Sequence, residues 1–315
     1  MRPVPKDSTG PLPHLYLTTA AAVWGGTIVG GKYAVGDVSP LAIAWLRLLL
    51  SWVILCLVLS RNQRGWLKDL TESVPIFFFL GATGAALPSL LLLSGLQYTT
   101  ASSAAIIQAG NPVLSALLAT IFLRERTTLL QWVGIVLSLV GVATVVTEGS
   151  TEAIMGLQIN LGNLLVAGAM ASWAVNSVVS RVALYSHTPL GVSTHAIFFG
   201  WVILTPLALW QNAPESLGAA TPLSWIVILY MGIFGNALGQ LLWFRGIASV
   251  GVSRSAVYTN LIPVSALALA SLLLGERLTI AHWVGAVLVA LGVTLTVSAN
   301  KEKESAPTAV EGPGR

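Results

Sequence analysis

Ten long apolar runs constrain this chain more than any other feature of its sequence. Each run is close to the roughly 20 residues that an α-helix needs to cross about 30 Å of hydrocarbon. Charged residues make up 9% of the chain, whereas a typical globular domain carries about 25%. The sequence therefore predicts an all-α membrane protein with ten transmembrane helices. We place them at 14–35, 40–60, 74–96, 101–123, 129–147, 159–183, 190–210, 223–246, 252–274 and 279–298.

The second half of the chain repeats the first. Residues 99–148 align without a gap with residues 250–299 at a shift of 151, which places Pro112 on Pro263. A period this long indicates a duplicated half and not a solenoid repeat. We divide the chain into a disordered tail at 1–13, a five-helix repeat at 14–147, a linker at 148–158, a second five-helix repeat at 159–298 and a disordered tail at 299–315.

The distribution of basic residues predicts how the two halves insert. Because five is odd, the second half enters the membrane from the side opposite to the first. If the N-terminus is cytoplasmic, thirteen Lys and Arg residues lie on the cytoplasmic side, and only Lys32 and Arg277 lie on the other. This bias follows the positive-inside rule. The sequence thus predicts an inverted repeat with both termini in the cytoplasm, an architecture that binds substrate near the midplane between the repeats.

A set of uncharged polar and aromatic side chains lies at helical spacing in matched spans of the two halves. Amides and indoles can hydrogen-bond a polar solute and also cover its apolar part. We expect the set to line a substrate cavity; the other interpretation is that these side chains bridge neighbouring helices. The set comprises Trp24 and Thr27 in the first span, Gln108 and Asn111 in the fourth, Trp173 and Asn176 in the sixth, Gln240 and Trp243 in the eighth, and Tyr258 and Asn260 in the ninth.

Two matched prolines interrupt the fourth and ninth spans. Proline removes one backbone hydrogen bond and kinks a helix, and a carbonyl freed in this way is tolerated at membrane depth where it lines a cavity. Pro112 and Pro263 are therefore predicted to form paired hinges beside the site. A kink that serves packing alone is the alternative.

Arg47 is the one charge placed clearly inside a predicted span. A buried arginine is energetically expensive and is by default a functional-site hypothesis. Its guanidinium could bind a substrate carboxylate in a planar, bidentate geometry. The alternative is that the side chain extends along the helix to reach water at the span end.

Three other residues could couple transport to protons. His195 lies in the seventh span, and Glu125 and Glu276 end the fourth and ninth; no Asp or Glu lies at mid-membrane. His195 could instead bridge two helices, and each glutamate precedes an arginine with which it could form a local ion pair. Because no mid-membrane carboxylate is present to relay protons, we hypothesise a facilitative carrier that follows the solute gradient.

Several function classes are disfavoured by the sequence. It contains no GxSxG, HExxH or P-loop motif, and its single cysteine, Cys56, excludes an intrachain disulfide. We expect no metal or cofactor, and no nucleic-acid partner, because the basic residues form no stripe.

Two alternative functions fit the sequence less well. A membrane-embedded lipid-modifying enzyme would need a catalytic constellation, and a non-transporting scaffold or sensor would leave the polar set unexplained. The expected partners are the lipid bilayer and a small-molecule substrate. We expect the protein to be a monomer.

Seven motifs occur in a fixed order: WGGTIVGGKYA, NPV, LRER, WVGIVLSLVGV, LIPV, LLGER and HWVGAVLVALGV. Together they resemble the EamA-type permeases of the drug/metabolite transporter superfamily over about residues 14–298. The resemblance implies a secondary transporter of a small polar or amphipathic metabolite, often an amino acid, in a bacterial inner membrane. It also implies a cavity lined by the first, third, fourth, sixth, eighth and ninth spans, with the fifth and tenth as packing elements. We expect efflux by alternating access.

Overall fold

The chain folds into helices. The computed structural model describes residues 11–62, 71, 73–122, 128–146, 148–149, 160–184, 186–250, 258–259 and 261–305. Every regular element in these ranges is helical, which confirms the all-α prediction. Most of the predicted N-terminal tail and of the linker, and residues 306–315, lie outside the described residues, whereas residues 299–305 of the predicted C-terminal tail continue the last helix.

The helices are numbered in chain order. In the first half, α1 is Leu12–Ala34, α2 is Pro40–Asn62, α3 is Val74–Tyr98, α4 has the two parts Ala101–Ala109 and Asn111–Phe122, and α5 is Leu129–Val146. In the second half, α6 is Leu161–Ala183, α7 is Pro189–Trp210, α8 has the consecutive parts Pro222–Tyr230, Met231–Leu238 and Gly239–Val250, α9 is Leu261–Leu274 and α10 is Ile280–Ser305. A short 3₁₀ helix, Ala213–Ala219, precedes α8.

Five helices in the described part of the chain are long and apolar enough to cross a membrane. They are Pro40–Arg61, Val74–Tyr98, Leu161–Ser180, Pro189–Trp210 and Pro222–Trp243. Shorter apolar helices lie at Leu129–Val145, Leu261–Leu274 and Ile280–Leu295.

Two π-helical stretches occupy matched positions in the two halves. One is Ala82–Ala86 within α3, and the other is Met231–Leu238 within α8. The shift of 151 carries the first stretch into the second. Sequence reasoning missed both, although matched glycines mark them. π-Bulges inside α-helices are frequent at functional sites, so this pair indicates where the site lies.

Helix packing is reciprocal between the halves. The α1 helix packs on α8 and α9, and its repeat mate α6 packs on α3 and α4. Helix α2 packs on α7, and α5 packs along α10. Exchanging the halves therefore maps each of these contacts onto another contact of the same set.

Glycines in the π-helical stretches show the same reciprocity at atomic detail. A Cβ atom on Gly84 would lie 2.4 Å from Oδ1 of Asn176, and one on Gly235 would lie 2.4 Å from Cγ2 of Thr27. Gly84 and Gly235 are repeat mates, and so are Asn176 and Thr27 at a shift of 149. A side chain on either glycine would therefore require the facing side chain, Asn176 or Thr27, to move.

Helices α5 and α10 form the closest seam between the halves. A Cβ atom on Gly141 would lie 2.9 Å from the carbonyl oxygen of Gly285, and one on Gly292 would lie 2.5 Å from that of Gly134. Small residues let helix backbones approach in this way. Because the contact moves back along one helix as it moves forward along the other, the two helices run antiparallel.

The two prolines lie in first turns, where a proline is tolerated because its missing N–H would have no partner there. Pro112 is the second residue of the Asn111–Phe122 part of α4, after a break at Gly110. Pro263 is the third residue of α9 as described, Leu261–Leu274; residues 252–257 of the predicted ninth span lie outside the described residues. Each proline thus lies near the start of a described helical segment, and the hinge role of the pair stays a prediction.

A carboxylate links the α1–α2 connection to the N-terminus of α8. The Asp37 Oδ2 atom accepts hydrogen bonds from the hydroxyls of Ser224 at 2.6 Å and Thr221 at 2.8 Å. These bonds, first that from Ser224 and then that from Thr221, lower the pKa of Asp37. Thr221 is also the N-cap of α8 and accepts from the Ser224 backbone N–H. This contact therefore joins the first half to the second.

We expect Asp37→Asn to destabilise the protein at neutral pH and to have little effect in acid. A carboxyl whose pKa is lowered by folding contributes stability above its unfolded value of about 3.9, and this stability is lost as the pH falls through the folded pKa. Thermal unfolding of both proteins in detergent at pH 7 and near pH 3 measures the effect. An equal difference at both pH values would contradict the role of the charge, and Glu215→Asn, at an exposed glutamate, is the control.

Candidate functional site

Arg47 is buried between helices of both halves. Its side chain is 8% exposed, and its Nη2 donates a 2.7 Å hydrogen bond to the hydroxyl of Ser89 in α3. The buried Nε has no hydrogen-bond partner among the described residues. The low exposure shows that the Arg47 side chain does not extend to water at the span end; its role in binding a carboxylate stays a prediction.

The backbone around Arg47 is tied to the π-helical stretch of α8. The Ser51 hydroxyl lies 2.6 Å from the Arg47 carbonyl oxygen and 2.9 Å from that of Gly232. Arg47 thus lies where α2, α3 and α8 meet: its guanidinium contacts Ser89 of α3, and its backbone lies beside Gly232 of α8. Because a buried charge is costly unless it is paired, a negatively charged solute group there would be strongly favoured.

An aromatic cluster borders the same π-helical stretch from the other side. The Trp24 indole donates a 2.9 Å hydrogen bond to the Gly235 carbonyl oxygen, and its ring lies 5.2 Å from that of Trp243. The Thr27 hydroxyl is bonded within α1 to the Trp24 carbonyl oxygen at 2.7 Å. The structure therefore brings these three predicted residues together.

The matched cluster of the other half lies between α4 and α6. The Asn111 side-chain amide donates a 3.2 Å hydrogen bond to the Met170 carbonyl oxygen and accepts one from Ser115. Asn176 packs on Gly84 of α3. Asn111 bridges two helices, as the alternative interpretation of the polar set expected.

The two tryptophans that the repeat relates are in different environments. Trp24 is half-buried and hydrogen-bonded to the π-helical stretch, whereas Trp173 is 40% exposed. The halves are therefore in different local conformations at this position.

The remaining polar candidates are dispersed. Gln240 accepts a 3.1 Å hydrogen bond from Ser193 and so joins α8 to α7. The Tyr258 hydroxyl is bonded to Nδ1 of His14. Gln108 is half-buried in α4, and Asn260 lies outside the described residues.

Of the three coupling candidates, two are described. His195 is 1% exposed, and its ring lies 4.8 Å from that of Phe77 in α3, so it packs between helices. The Glu276 carboxylate accepts from the backbone N–H groups of Ala101 and Ser102. The hydrogen-bond partners of the Glu276 carboxylate among the described residues therefore lie in α4 and do not include Arg277. Glu125 lies outside the described residues.

A cavity of about 580 Å³ opens at the end of the molecule where α3 joins α4. The predicted substrate-binding residues do not line it. Its lining includes Lys32 and Arg277, the two basic residues assigned to the non-cytoplasmic side, together with Tyr98, Glu148 and His282. Lys32 also donates a 2.8 Å hydrogen bond to the Leu96 carbonyl oxygen. Nothing in the sequence indicates that Lys32 and Arg277 lie beside the same cavity.

Comparison with known proteins shows the family to which the chain belongs. The model of the EamA-like transporter family matches the chain twice, over residues 12–147 and 160–298. The chain belongs to the EamA-like transporter family. It is therefore a membrane-embedded transporter, and the resemblance drawn from the motifs is confirmed.

The transporter is similar to curated proteins over most of its length. An uncharacterized transporter of Bacillus subtilis (strain 168), YyaM, is 33% identical over 87% of this chain and 89% of its own. A probable terminal-alkyne amino-acid exporter of Streptantibioticus cattleyicolor is 28% identical over 76% of this chain and 78% of its own. A protein of known crystal structure shares the fold with a TM-score of 0.61 and 18% identity, over 93% of this chain and 99% of that one.

Proposed function

We propose that the transporter moves a small zwitterionic metabolite, such as an amino acid, by alternating access between two inverted five-helix halves. The reciprocal packing of the halves carries this proposal. The glycine contacts of α5 with α10 are antiparallel and map onto each other when the halves are exchanged. If the halves also exchange conformations, the face that is open becomes the face that is closed.

The proposed topology has ten transmembrane spans in the inner membrane, with both termini in the cytoplasm. It rests on the bias of basic residues and on the doubled match of the family model. The clustering of Lys32 and Arg277 around one cavity supports it further, because the topology assigns both residues to the same outer face.

The substrate class follows from the charge and chemistry at the junction of the halves. Arg47 supplies a buried positive charge for a carboxylate, and Trp24 and Trp243 supply an aromatic surface for an apolar side chain. The Streptantibioticus cattleyicolor relative, a probable terminal-alkyne amino-acid exporter, agrees with this class. We assign Asn111, Trp173, Asn176 and Tyr258 to contact the substrate during the cycle.

The direction of transport is proposed to be efflux down the solute gradient. No Asp or Glu lies at mid-membrane to relay protons, and a zwitterion carries no net charge that would need a counter-ion. An accumulated metabolite then leaves the cell without coupling to an ion.

Proteoliposomes loaded with radiolabelled amino acids, one at a time, test the proposal. We expect protein-dependent exit of a subset of them, with no concentrative uptake when a pH gradient alone is imposed. Liposomes without protein are the control. Absence of exit for every zwitterion would contradict the substrate class. Uptake driven by the pH gradient, and abolished by His195→Ala or Glu125→Gln, would contradict the uncoupled mechanism.

A further inference from the structure

The N-terminus of α4 is completed by a residue from the other half. The first N–H groups of a helix have no partner within it. Thr100, the N-cap, accepts from the Ser103 N–H at 3.0 Å. The two preceding N–H groups bind Glu276: the Ala101 N–H donates to Oε1 at 2.8 Å, and the Ser102 N–H donates to Oε2 at 3.0 Å. The Ser102 hydroxyl adds a third bond, at 2.7 Å.

The backbone at the end of α9 aims Glu276 at this site. Gly275 has a φ of +66°, in the left-handed region, and the Glu276 N–H donates a 3.3 Å hydrogen bond back to the Ala270 carbonyl oxygen. A left-handed glycine directly after the last helical residue is a common way to end a helix, and the bond from the Glu276 N–H folds the chain back against the last turns of α9. The LLGER motif therefore ends one helix and delivers a carboxylate to the start of another.

A second contact reinforces this attachment on the same side. The Nε2 atom of His282 in α10 lies 3.0 Å from the hydroxyl of Ser103, which is 4% exposed. Ser103 and His282 also line the cavity of about 580 Å³ that opens at this end. Water can therefore reach the edge of the contact and replace its hydrogen bonds when the two parts separate.

We propose that Glu276 is a latch that holds this end of the transporter closed by binding the α9–α10 connection of the second half to α4 of the first. The inference rests on the proposed alternating access, since a latch has a role only if the two parts separate during the cycle. The contact is suited to release. A carboxylate is favoured at a helix N-terminus, but its bonds are polar and replaceable by water, unlike the glycine seam of α5 and α10.

Thiol labelling of a buried reporter tests the latch without a substrate. In a Cys56→Ser background, Ser103→Cys places a near-isosteric thiol directly behind the contact. We expect Glu276→Gln to raise the rate of maleimide labelling in nanodiscs about tenfold, because a charge-assisted hydrogen bond of this kind is worth roughly an order of magnitude in an opening equilibrium. Glu215→Gln, at an exposed glutamate of the 3₁₀ helix, is the matched control and should leave the rate unchanged.

A backbone variant tests the same latch with the glutamate retained. Gly275 and Gly218 both have open space where a Cβ atom would lie, but only Gly275 of the two has positive φ. Gly275→Ala should therefore strain the turn that aims Glu276 and raise labelling, whereas Gly218→Ala should not. Equal labelling of Glu276→Gln and Glu215→Gln, or of the two alanine variants, would overturn the latch. These outcomes are independent of whether any amino acid is transported, so the proposed function and the latch can fail separately.

Discussion

Arg47→Met is expected to reduce transport of a carboxylate-bearing substrate by roughly 30- to 1,000-fold in kcat/KM, because losing one partner of a buried charge pair costs about 2–4 kcal/mol. Arg47 is buried where α2, α3 and α8 meet, and its Nε has no hydrogen-bond partner among the described residues. Radiolabelled exchange in proteoliposomes measures the loss.

The same variant is expected to be as stable as the parent protein or more so. Replacing a buried ion by an apolar side chain of similar volume is often neutral or stabilising. Arg47 is paired only with the neutral Ser89 hydroxyl among its described hydrogen bonds, so little favourable charge interaction is lost. Retained thermal stability together with lost transport would separate a substrate-binding role from a structural one.

Two further variants serve as controls for this prediction. Arg61→Met removes an exposed arginine near the end of the same helix and should leave transport unchanged. Ser89→Ala keeps the charge but removes its hydrogen bond, so we expect a loss of about tenfold or less. Normal transport by Arg47→Met, or a fall in its unfolding temperature with no specific effect on kcat/KM, would show that Arg47 is not in the substrate site.

Gly292→Ala is expected to destabilise the protein by about 2 kcal/mol, the cost of forcing an extra carbon into a well-packed contact. The added Cβ atom would lie 2.5 Å from the Gly134 carbonyl oxygen and 2.6 Å from the Ser138 backbone nitrogen. Both atoms belong to the backbone of α5 and cannot rotate away. Helices α5 and α10 must therefore separate.

A glycine-to-alanine substitution in α6 should instead raise the free energy of unfolding. The nearest atom to a Cβ on Gly168 is the Leu91 Cδ1, at an ordinary 3.5 Å. Gly168→Ala should then stabilise by about 0.5–1 kcal/mol, because alanine has less conformational freedom to lose than glycine. Thermal unfolding in detergent compares the two variants. If Gly292→Ala lowers the unfolding temperature no more than Gly168→Ala does, the close approach of α5 and α10 is refuted.

The candidate site could be predicted in outline but not in its contacts. Arg47 was identifiable because a charge in an apolar run is visible without any structure. Its partner Ser89 was not, because 42 residues separate the two in the chain. The pairing of Trp24 with the Gly235 carbonyl oxygen, 211 residues away, was equally invisible. The repeat did mark the matched glycines, although not the π-helical stretches that contain them.

The sequence by itself determined that this chain is helical and duplicated, and that it belongs in a membrane. These properties follow from features that are local or that repeat along the chain: the length of the apolar runs, their low charge and the alignment of one half on the other. Only the tertiary structure decided that the carboxylate of Glu276 binds the start of α4, and that Pro263 lies in the first turn of α9. The physical reason is that a hydrogen bond depends on the position of its partner in space. In this fold, packing of the halves brings together atoms that lie 175 residues apart in the chain.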